Sequence, residues 1–262
     1  MEIKTPDAIT DAAVSIGRRK SRLNDSVPRL LLLSILAGSY IALGGALSVI
    51  IGYGFPEITA GNPAIQRLLS GSVFPIGLIL TVILGAELFT GNNALMIPAL
   101  LRHHYGIRAL LTNWGIVWVG NFIGALLFSY ILIVATGTMD AEPYRSAITG
   151  IASTKASLPW LTVFTRAIGA NWCVCLAVWL ALAGHSLIEK MAGCWFPVMA
   201  FVALGYEHSI ANMFFIPTGM MLGADVSITR LIANLIPATL GNIVGGALLV
   251  GTISAFLHHH KS

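Results

Sequence analysis

Three ionisable side chains stand inside long apolar stretches of the sequence: Glu87, Glu207 and His208. An ionised group at the centre of a bilayer costs at least about 2.5–3.5 kcal/mol, so such residues need a partner or a function. For both glutamates we expect a scaffolding role, as acceptors for the backbone N–H groups that a broken helix leaves free. The residue after Glu87 is Leu88, so His208 has no counterpart beside the first glutamate. Because histidine titrates near neutral pH, His208 is the better candidate for moving a proton.

The sequence shows no pattern typical of a metal centre or of an enzyme. Its three cysteines, Cys173, Cys175 and Cys194, all lie in apolar runs. A Cys-x-Cys pair with one further cysteine is too few ligands for a zinc or iron–sulfur site. The run around His208 reads E-H-S-I-A, which is not the H-E-x-x-H motif of metalloproteases. We therefore predict no metal, no cofactor and no enzymatic activity.

The composition indicates an integral membrane protein. Of the 262 residues, 56% are hydrophobic and 10% are charged, against about 25% charged in an average soluble domain. The mean hydropathy is +0.82. The net charge of +4 is scattered between apolar runs rather than gathered on one face, which argues against a nucleic-acid partner.

Six apolar stretches predict six membrane crossings. Residues 30–56, 109–139, 167–188 and 231–257 carry no charge, and each can supply a span of about 20 residues. Residues 68–101 and 191–224 are apolar apart from the three ionisable residues above. A straight helix over either would reach about 51 Å, well beyond a hydrocarbon core of about 30 Å. Because Gly85 and Gly205 lie within them, we expect the second and fifth helices to be broken.

An internal repeat supports this count. The run Gly85-Ala86-Glu87 is echoed by Gly205-Tyr206-Glu207, and G-N-F-I-G at 120–124 is echoed at nearly the same offset by G-N-I-V-G at 241–245. Two halves of three spans each, at about 30–135 and 159–257, must enter the membrane from opposite sides. Inverted repeats with broken helices are typical of channels and transporters, with the site between the halves. We therefore divide the chain into an N-terminal segment (1–29), a channel domain (30–258) and a C-terminal end (258–262).

Basic residues predict the orientation in the membrane. Ten of the fifteen lysines and arginines fall on one side of the six predicted spans, which places both termini in the cytoplasm by the positive-inside rule. The flank of the first span dominates, with Lys4, Arg18, Arg19, Lys20, Arg22 and Arg29. We expect a multi-pass protein of the cell (inner) membrane without a cleaved signal peptide, because the first 29 residues lack an apolar core. We assign no function to the histidines at 258–260.

Four runs resemble the formate/nitrite transporter family, over about residues 5–258. They are GAELFTGN at 85–92, NWCVCLAVW at 171–179, FVALGYEHSIANM at 201–213 and IPATLGNIVGG at 236–246. The resemblance implies a homopentamer of aquaporin-like protomers, each with one pore and a central histidine between two apolar constrictions. It makes His208 that histidine, hydrogen-bonded near Thr90. It also implies that Glu207, Asn212 and the pore-facing Asn171 lie beside the central histidine. Phe74, Phe89 and Phe201 match the periplasmic constriction, and Leu78 and Leu88 match the cytoplasmic one. Lys155, in a loop before the fourth span, matches the residue that attracts the anion.

The resemblance predicts a channel or proton-coupled transporter for formate and similar small monovalent weak-acid anions. A nitrite or hydrosulfide channel of the same family is the alternative, and the sequence leaves open whether the anion or the neutral acid permeates. A neutral-solute channel of the aquaporin type is a remote alternative. It calls for paired Asn-Pro-Ala openings and no buried titratable histidine, whereas the one such motif, at 62–64, is predicted to lie in a loop.

Overall fold

The computed structural model describes residues 3–258, and these residues form helices and turns without a strand. The part of the predicted C-terminal end after His258 lies outside the described residues. Two π-helical segments, Ser129–Val134 and Val244–Thr252, continue α8 and α13. The helices in chain order are α1 (Pro6–Leu23), α2 (Val27–Tyr53), α3 (Pro56–Thr59), α4 (Pro63–Val73), α5 (Ile76–Leu84), α6 (Phe89–Leu95), α7 (Ile97–Leu101), α8 (Ile107–Phe128), α9 (Tyr144–Ser157), α10 (Trp160–Ala183), α11 (Leu187–Ala203), α12 (Ser209–Met221), α13 (Ile228–Ile243) and α14 (Ile253–Leu257).

Within the described residues, five helical stretches are long and apolar enough to cross a membrane. Four of them coincide with the uncharged stretches of the sequence, and the fifth combines α4 and α5. The helix α11 is not among them, because it has only 17 residues. The five are Val27–Tyr53, Pro63–Leu84, Ile107–Val134, Trp160–Ala183 and Ile228–Leu257.

Both long apolar stretches are interrupted near the predicted glycines. The helix α5 ends at Gly85, with φ of 72°, and the turn after α11 passes through Gly205, with φ of 71°. Only glycine adopts this left-handed conformation without a steric cost. The chain is then extended at Leu88 and at His208, which directly precede α6 and α12.

Two segments that the sequence predicts to be loops are helical in the structure. Lys155 lies near the end of α9, not in a loop before the fourth span. Pro63 of the Asn-Pro-Ala motif begins α4, since proline suits the first turn of a helix, where its missing N–H is not needed. Both segments are short or weakly apolar, so hydropathy alone did not mark them as helices.

Glycines in the repeated G-x-x-x-G motifs allow close contact between the long helices. A Cβ atom added at Gly124 of α8 would lie 2.0 Å from the carbonyl oxygen of Ile35 on α2. A Cβ atom at Gly245, after α13, would lie 2.2 Å from the carbonyl oxygen of Ile168 on α10. The two motifs thus fix the same kind of helix contact in each half, and the glycines have a packing role.

Candidate functional site

The buried carboxylate of Glu207 is part of a closed polar cluster. Its Oε1 lies 2.8 Å from Nζ of Lys155 on α9, and its Oε2 accepts a hydrogen bond from Nδ2 of Asn212 at 2.7 Å. The Asn212 amide also donates to Oδ1 of Asn234 on α13. Asn234 in turn donates to the carbonyl oxygen of Lys155 at 2.9 Å. The charge of the glutamate is therefore balanced inside the fold.

A matching cluster surrounds Glu87 in the first half. Its Oε2 lies 2.8 Å from Nζ of Lys20 on α1 and accepts from Nδ2 of Asn92 at 2.8 Å. Asn92 donates to Asn113 on α8, and Asn113 donates to the carbonyl oxygen of Lys20 at 3.2 Å. Sequence reasoning missed Lys20 as a site residue, because it lies in a polar flank where a basic residue is ordinary.

Two asparagines bridge the breaks between helices. Asn121 of α8 accepts a hydrogen bond from the N–H of Phe89 at 2.9 Å and donates to the carbonyl oxygen of Glu87 at 2.9 Å. In the second half, Asn242 accepts from the N–H of Ser209 at 2.8 Å and likewise donates to the carbonyl oxygen of its own glutamate. Both asparagines stand in the repeated G-N-x-x-G motif, which indicated the repeat and helix packing but did not identify the asparagines as site residues.

The expectation that Glu87 and Glu207 cap the freed backbone N–H groups is therefore wrong. Their carboxylates bind lysine and asparagine side chains instead. An amide side chain carries both an acceptor and donors, so one asparagine satisfies an N–H and a C=O of the break together. A carboxylate can only accept, which leaves the carbonyl unpaired.

The imidazole of His208 is held on both sides in the interior. Its Nδ1 accepts a hydrogen bond from the backbone N–H of Ala211 at 3.1 Å, as the N-cap of α12. Its Nε2 lies 3.0 Å from Oγ1 of Thr90, the partner expected from the sequence. Because Nδ1 accepts, the neutral ring carries its proton on Nε2 and donates it to Thr90. The side chain of Thr90 is fully buried.

Two of the three predicted constriction phenylalanines lie together beside His208. The rings of Phe74 and Phe201 are in edge contact, with 5.8 Å between their centroids. Phe201 also stacks on the imidazole of His208 at 5.8 Å. The ring of Phe89 lies instead against Trp114, at 6.1 Å. The structure thus joins Phe74 and Phe201 but gives Phe89 a different neighbour.

Two cavities enter the molecule near the two breaks, and their linings share no residue. The first, which we call the His208 cavity, has a volume of about 460 Å³. The second, the Glu87 cavity, has a volume of about 470 Å³. The His208 cavity is lined by Phe74, Lys155, Phe201, Glu207, His208 and Asn212 among others. The Glu87 cavity is lined by Lys20, Leu78, Glu87, Leu88 and Asn92 among others.

Asn171 and Thr90 line neither cavity and are fully buried in the polar interior. The Asn171 amide donates to the carbonyl oxygens of Thr90, at 3.2 Å, and of Asn242, at 2.6 Å. It also donates to Oδ1 of Asn93 at 3.2 Å. Asn171 therefore links the start of α6 to α13 through hydrogen bonds. One of them goes to the carbonyl oxygen of Thr90, the residue whose hydroxyl contacts His208.

The site supplies hydrogen bonds and balanced charge. Within residues 3–258, no three histidine, cysteine, aspartate or glutamate side chains group closely enough to hold a metal ion. Apolar spans, two interrupted helices and two separate cavities with polar ends define the class of membrane channels and transporters.

The chain belongs to the formate/nitrite transporter family, whose profile matches residues 7–256. It is 44% identical to a "Probable formate transporter" of Methanothermobacter thermautotrophicus, over 95% of each chain. A solved structure described as "FNT family ion channel" superposes with a TM-score of 0.88 and 25% identity, covering 95% of this chain and 98% of that one. A second, described as "Pentameric formate channel with formate bound", gives a TM-score of 0.78 and 31% identity, covering 89% and 98%. The chain is thus a multi-pass membrane protein of a transporter and channel family.

Proposed function

We propose that this protein is a channel for formate and similar small monovalent weak-acid anions. The two cavities with separate linings carry the proposal, because a pore with a central barrier requires one vestibule on each side of a closed interior. Phe74, Phe201 and His208 end the first vestibule, and Leu78 and Leu88 line the second. The relatives named as formate transporters and channels support formate as the substrate.

We propose six crossings arranged as an inverted repeat, with an aquaporin-like protomer. The pair α5 and α6 then forms the broken second crossing, and α11 with α12 forms the broken fifth. The matching clusters around Glu87 and Glu207 support this arrangement, since equivalent residues make equivalent bonds in each half. Both termini lie in the cytoplasm, and the His208 cavity faces the outside. The channel domain spans residues 30–258, and α1 packs onto it through Ala13, Val14 and Gly17.

A homopentamer with one pore in each protomer is the proposed assembly. Its support is the similarity to a solved structure described as a pentameric formate channel, over 98% of that chain. Each protomer contains both cavities and the His208–Thr90 bond, so the proposed pore is complete within one chain.

The proposed mechanism places proton exchange at His208. A bare anion meets a dielectric penalty at the apolar barrier. The oxygen of the Thr90 hydroxyl accepts a hydrogen bond from Nε2 of His208. The hydroxyl hydrogen of Thr90 is therefore available to donate to an anion that reaches it. A second proton enters the ring at Nδ1, which must release the N–H of Ala211. This second proton comes from water in the His208 cavity, and the ring then gives its Nε2 proton to Oγ1 of Thr90, whose own proton passes to the carboxylate. The ring is left neutral, and the carboxylate becomes the neutral acid, which passes Leu78 and Leu88 without the charge penalty.

A flux panel in proteoliposomes tests this function. Formate, nitrite, hydrosulfide, acetate and chloride are compared at about pH 5 and about pH 8, on either side of the usual histidine pKa. We expect formate flux above chloride flux, with faster transport at the lower pH. Faster nitrite or hydrosulfide flux would reassign the substrate within the family. Transport of a neutral solute such as glycerol, without anion flux, would favour the aquaporin-type alternative.

A further inference from the structure

Lys155, expected from the sequence to attract the anion, is not a free positive charge. Its Nζ lies 2.8 Å from the carboxylate of Glu207, and the side chains of the pair are only 16% and 2% exposed. A close pair of opposite charges acts at a distance as a dipole, whose field decays faster than that of a single charge. The carbonyl oxygen of Lys155 also accepts from Asn234. Lys155 is therefore well placed to hold α9 against the second break and poorly placed to draw in distant anions.

Two other cations line the same cavity and have no such partner. Arg67 lies on α4 and Arg166 on α10, and both are exposed. Neither forms a salt bridge within residues 3–258. Glu207 is the one acidic residue in the described lining, and Lys155 already balances it. The unbalanced positive charge of the His208 cavity thus resides on the two arginines.

We propose that Arg67 and Arg166, rather than Lys155, form the recruiting site for the anion at the mouth of the His208 cavity. The ligand class is a small monovalent oxyanion, with a carboxylate such as formate as the best fit. A guanidinium group presents two parallel N–H donors to a carboxylate, and an exposed position keeps the binding weak enough for release. Like charges on the walls of a cleft raise the local concentration of the opposite ion. This inference rests on the proposed function and deepens it.

The Glu87 cavity has the same arrangement and supplies a matched control. Lys20 in its lining is balanced by Glu87 at 2.8 Å. Lys4, Arg19 and Lys190 also line it, and none of the three forms a salt bridge within residues 3–258. Each mouth therefore combines one neutral lysine–glutamate pair with unpaired basic side chains. A variant of one mouth can be compared with the equivalent variant of the other.

The test measures formate uptake into right-side-out vesicles, where the anion enters through the His208 cavity. At about 0.01 M ionic strength, where screening reaches about 30 Å, Arg67→Gln with Arg166→Gln should raise the half-saturating concentration about tenfold. The maximal rate should not change, and the variant should lose the salt dependence of the wild type. Arg67→Lys with Arg166→Lys should keep most of that salt dependence, because the charges remain. Arg19→Gln with Lys190→Gln should act on efflux and not on uptake.

A charge-neutral variant separates the arginines from the buried pair. Lys155→Met with Glu207→Gln removes both charges together, so no buried carboxylate is left unpaired. We expect it to retain the wild-type salt dependence of the half-saturating concentration, whatever its maximal rate. The recruiting site is wrong if the arginine-to-glutamine variant keeps the wild-type salt dependence, or if the charge-neutral variant loses it. Either result leaves the proposed channel function intact. A wild-type protein without flux of any anion in the panel rejects the recruiting site and the proposed function together.

Discussion

At the residue scale, His208 is fixed in one tautomer by its two neighbours. Its Nδ1 accepts the N–H of Ala211, so the proton of the neutral ring faces Thr90. The ring therefore combines two roles, as the N-cap of α12 and as the donor at the barrier. A substitution can remove titration while keeping the cap, because asparagine is among the best N-cap residues.

We expect His208→Asn to retain only a residual anion flux, without the pH switch of the wild type, because no group at the barrier can then give a proton to the carboxylate. The amide oxygen can replace Nδ1 as the cap and the NH₂ group retains a donor, but the side chain does not titrate between about pH 5 and pH 8. The measurement is flux per correctly folded pentamer across that range.

The matched variant His208→Phe keeps a planar ring but loses both hydrogen bonds. It should cost about 0.5–2 kcal/mol as a lost cap and abolish formate uptake at low pH. If His208→Asn instead shows the wild-type pH profile, proton exchange does not occur at this residue.

The phenylalanines divide into two groups with different expected effects. Phe74→Ala and Phe201→Ala open the wall beside His208, so they should widen selectivity or raise leak while the protein still folds. Phe89→Ala removes a ring that packs on Trp114, so it should mainly lower stability, by about 3–5 kcal/mol. Anion selectivity and thermal unfolding in detergent separate the two. Unchanged selectivity in both Phe74→Ala and Phe201→Ala would place these rings outside the pore.

The site residues that could be recognised in the sequence are ionisable residues inside apolar stretches. Glu87, Glu207 and His208 interrupt apolar runs, so their burial was open to prediction, but the lysine and asparagine partners of the two glutamates were not. Lys20 lies among other basic residues, and only the fold brings it to a carboxylate. Asn171 gave no such signal either, because an amide in a helix does not show whether it faces a pore or a neighbouring backbone.

At the element scale, the two breaks depend on Asn121 and Asn242. Each amide satisfies one N–H and one C=O group that no helix can pair. We expect Asn121→Ala and Asn242→Ala each to cost about 1–3 kcal/mol for every buried group left unpaired. Thermal unfolding of the detergent-solubilised protein measures this loss.

Asn62→Ala is the matched control for these two variants. Asn62 is exposed, and within residues 3–258 the one hydrogen bond that its amide donates is to the carbonyl oxygen of Ile58. Its removal should leave the unfolding temperature nearly unchanged, as most surface substitutions do. Equal stability of all three alanine variants would show that the amides do not hold the breaks.

The breaks were predictable because each apolar stretch is too long for the bilayer and contains a glycine. The helix α9 and the start of α4 were not, since short or weakly apolar helices leave no hydropathy signal. Hydropathy also gives the length of a stretch but not the partners of the groups that a break exposes. Those partners come from α8 and α13, distant in the sequence.

At the scale of the whole molecule, the orientation in the membrane is open to a direct test. We expect a tag attached after residue 262 to be protected from external protease in right-side-out vesicles, because basic residues favour the cytoplasmic side. A tag inserted at the exposed Gly61, between α3 and α4, should be cleaved under the same conditions. Cleavage of the C-terminal tag with protection of the other would reverse the proposed orientation.

Each lysine–glutamate pair joins one half of the repeat to the segment directly before that half in the chain. Lys20 of the N-terminal segment meets Glu87 of the first half, and Lys155, just before the second half, meets Glu207 of that half. During translation, the first half can therefore neutralise its buried carboxylate while the ribosome is still adding the second. In the interior, the bond from His208 to Thr90 joins the halves without a formal charge when the ring is neutral. Each half can thus leave the insertion machinery for lipid with its buried carboxylate already paired, and the two can dock afterwards.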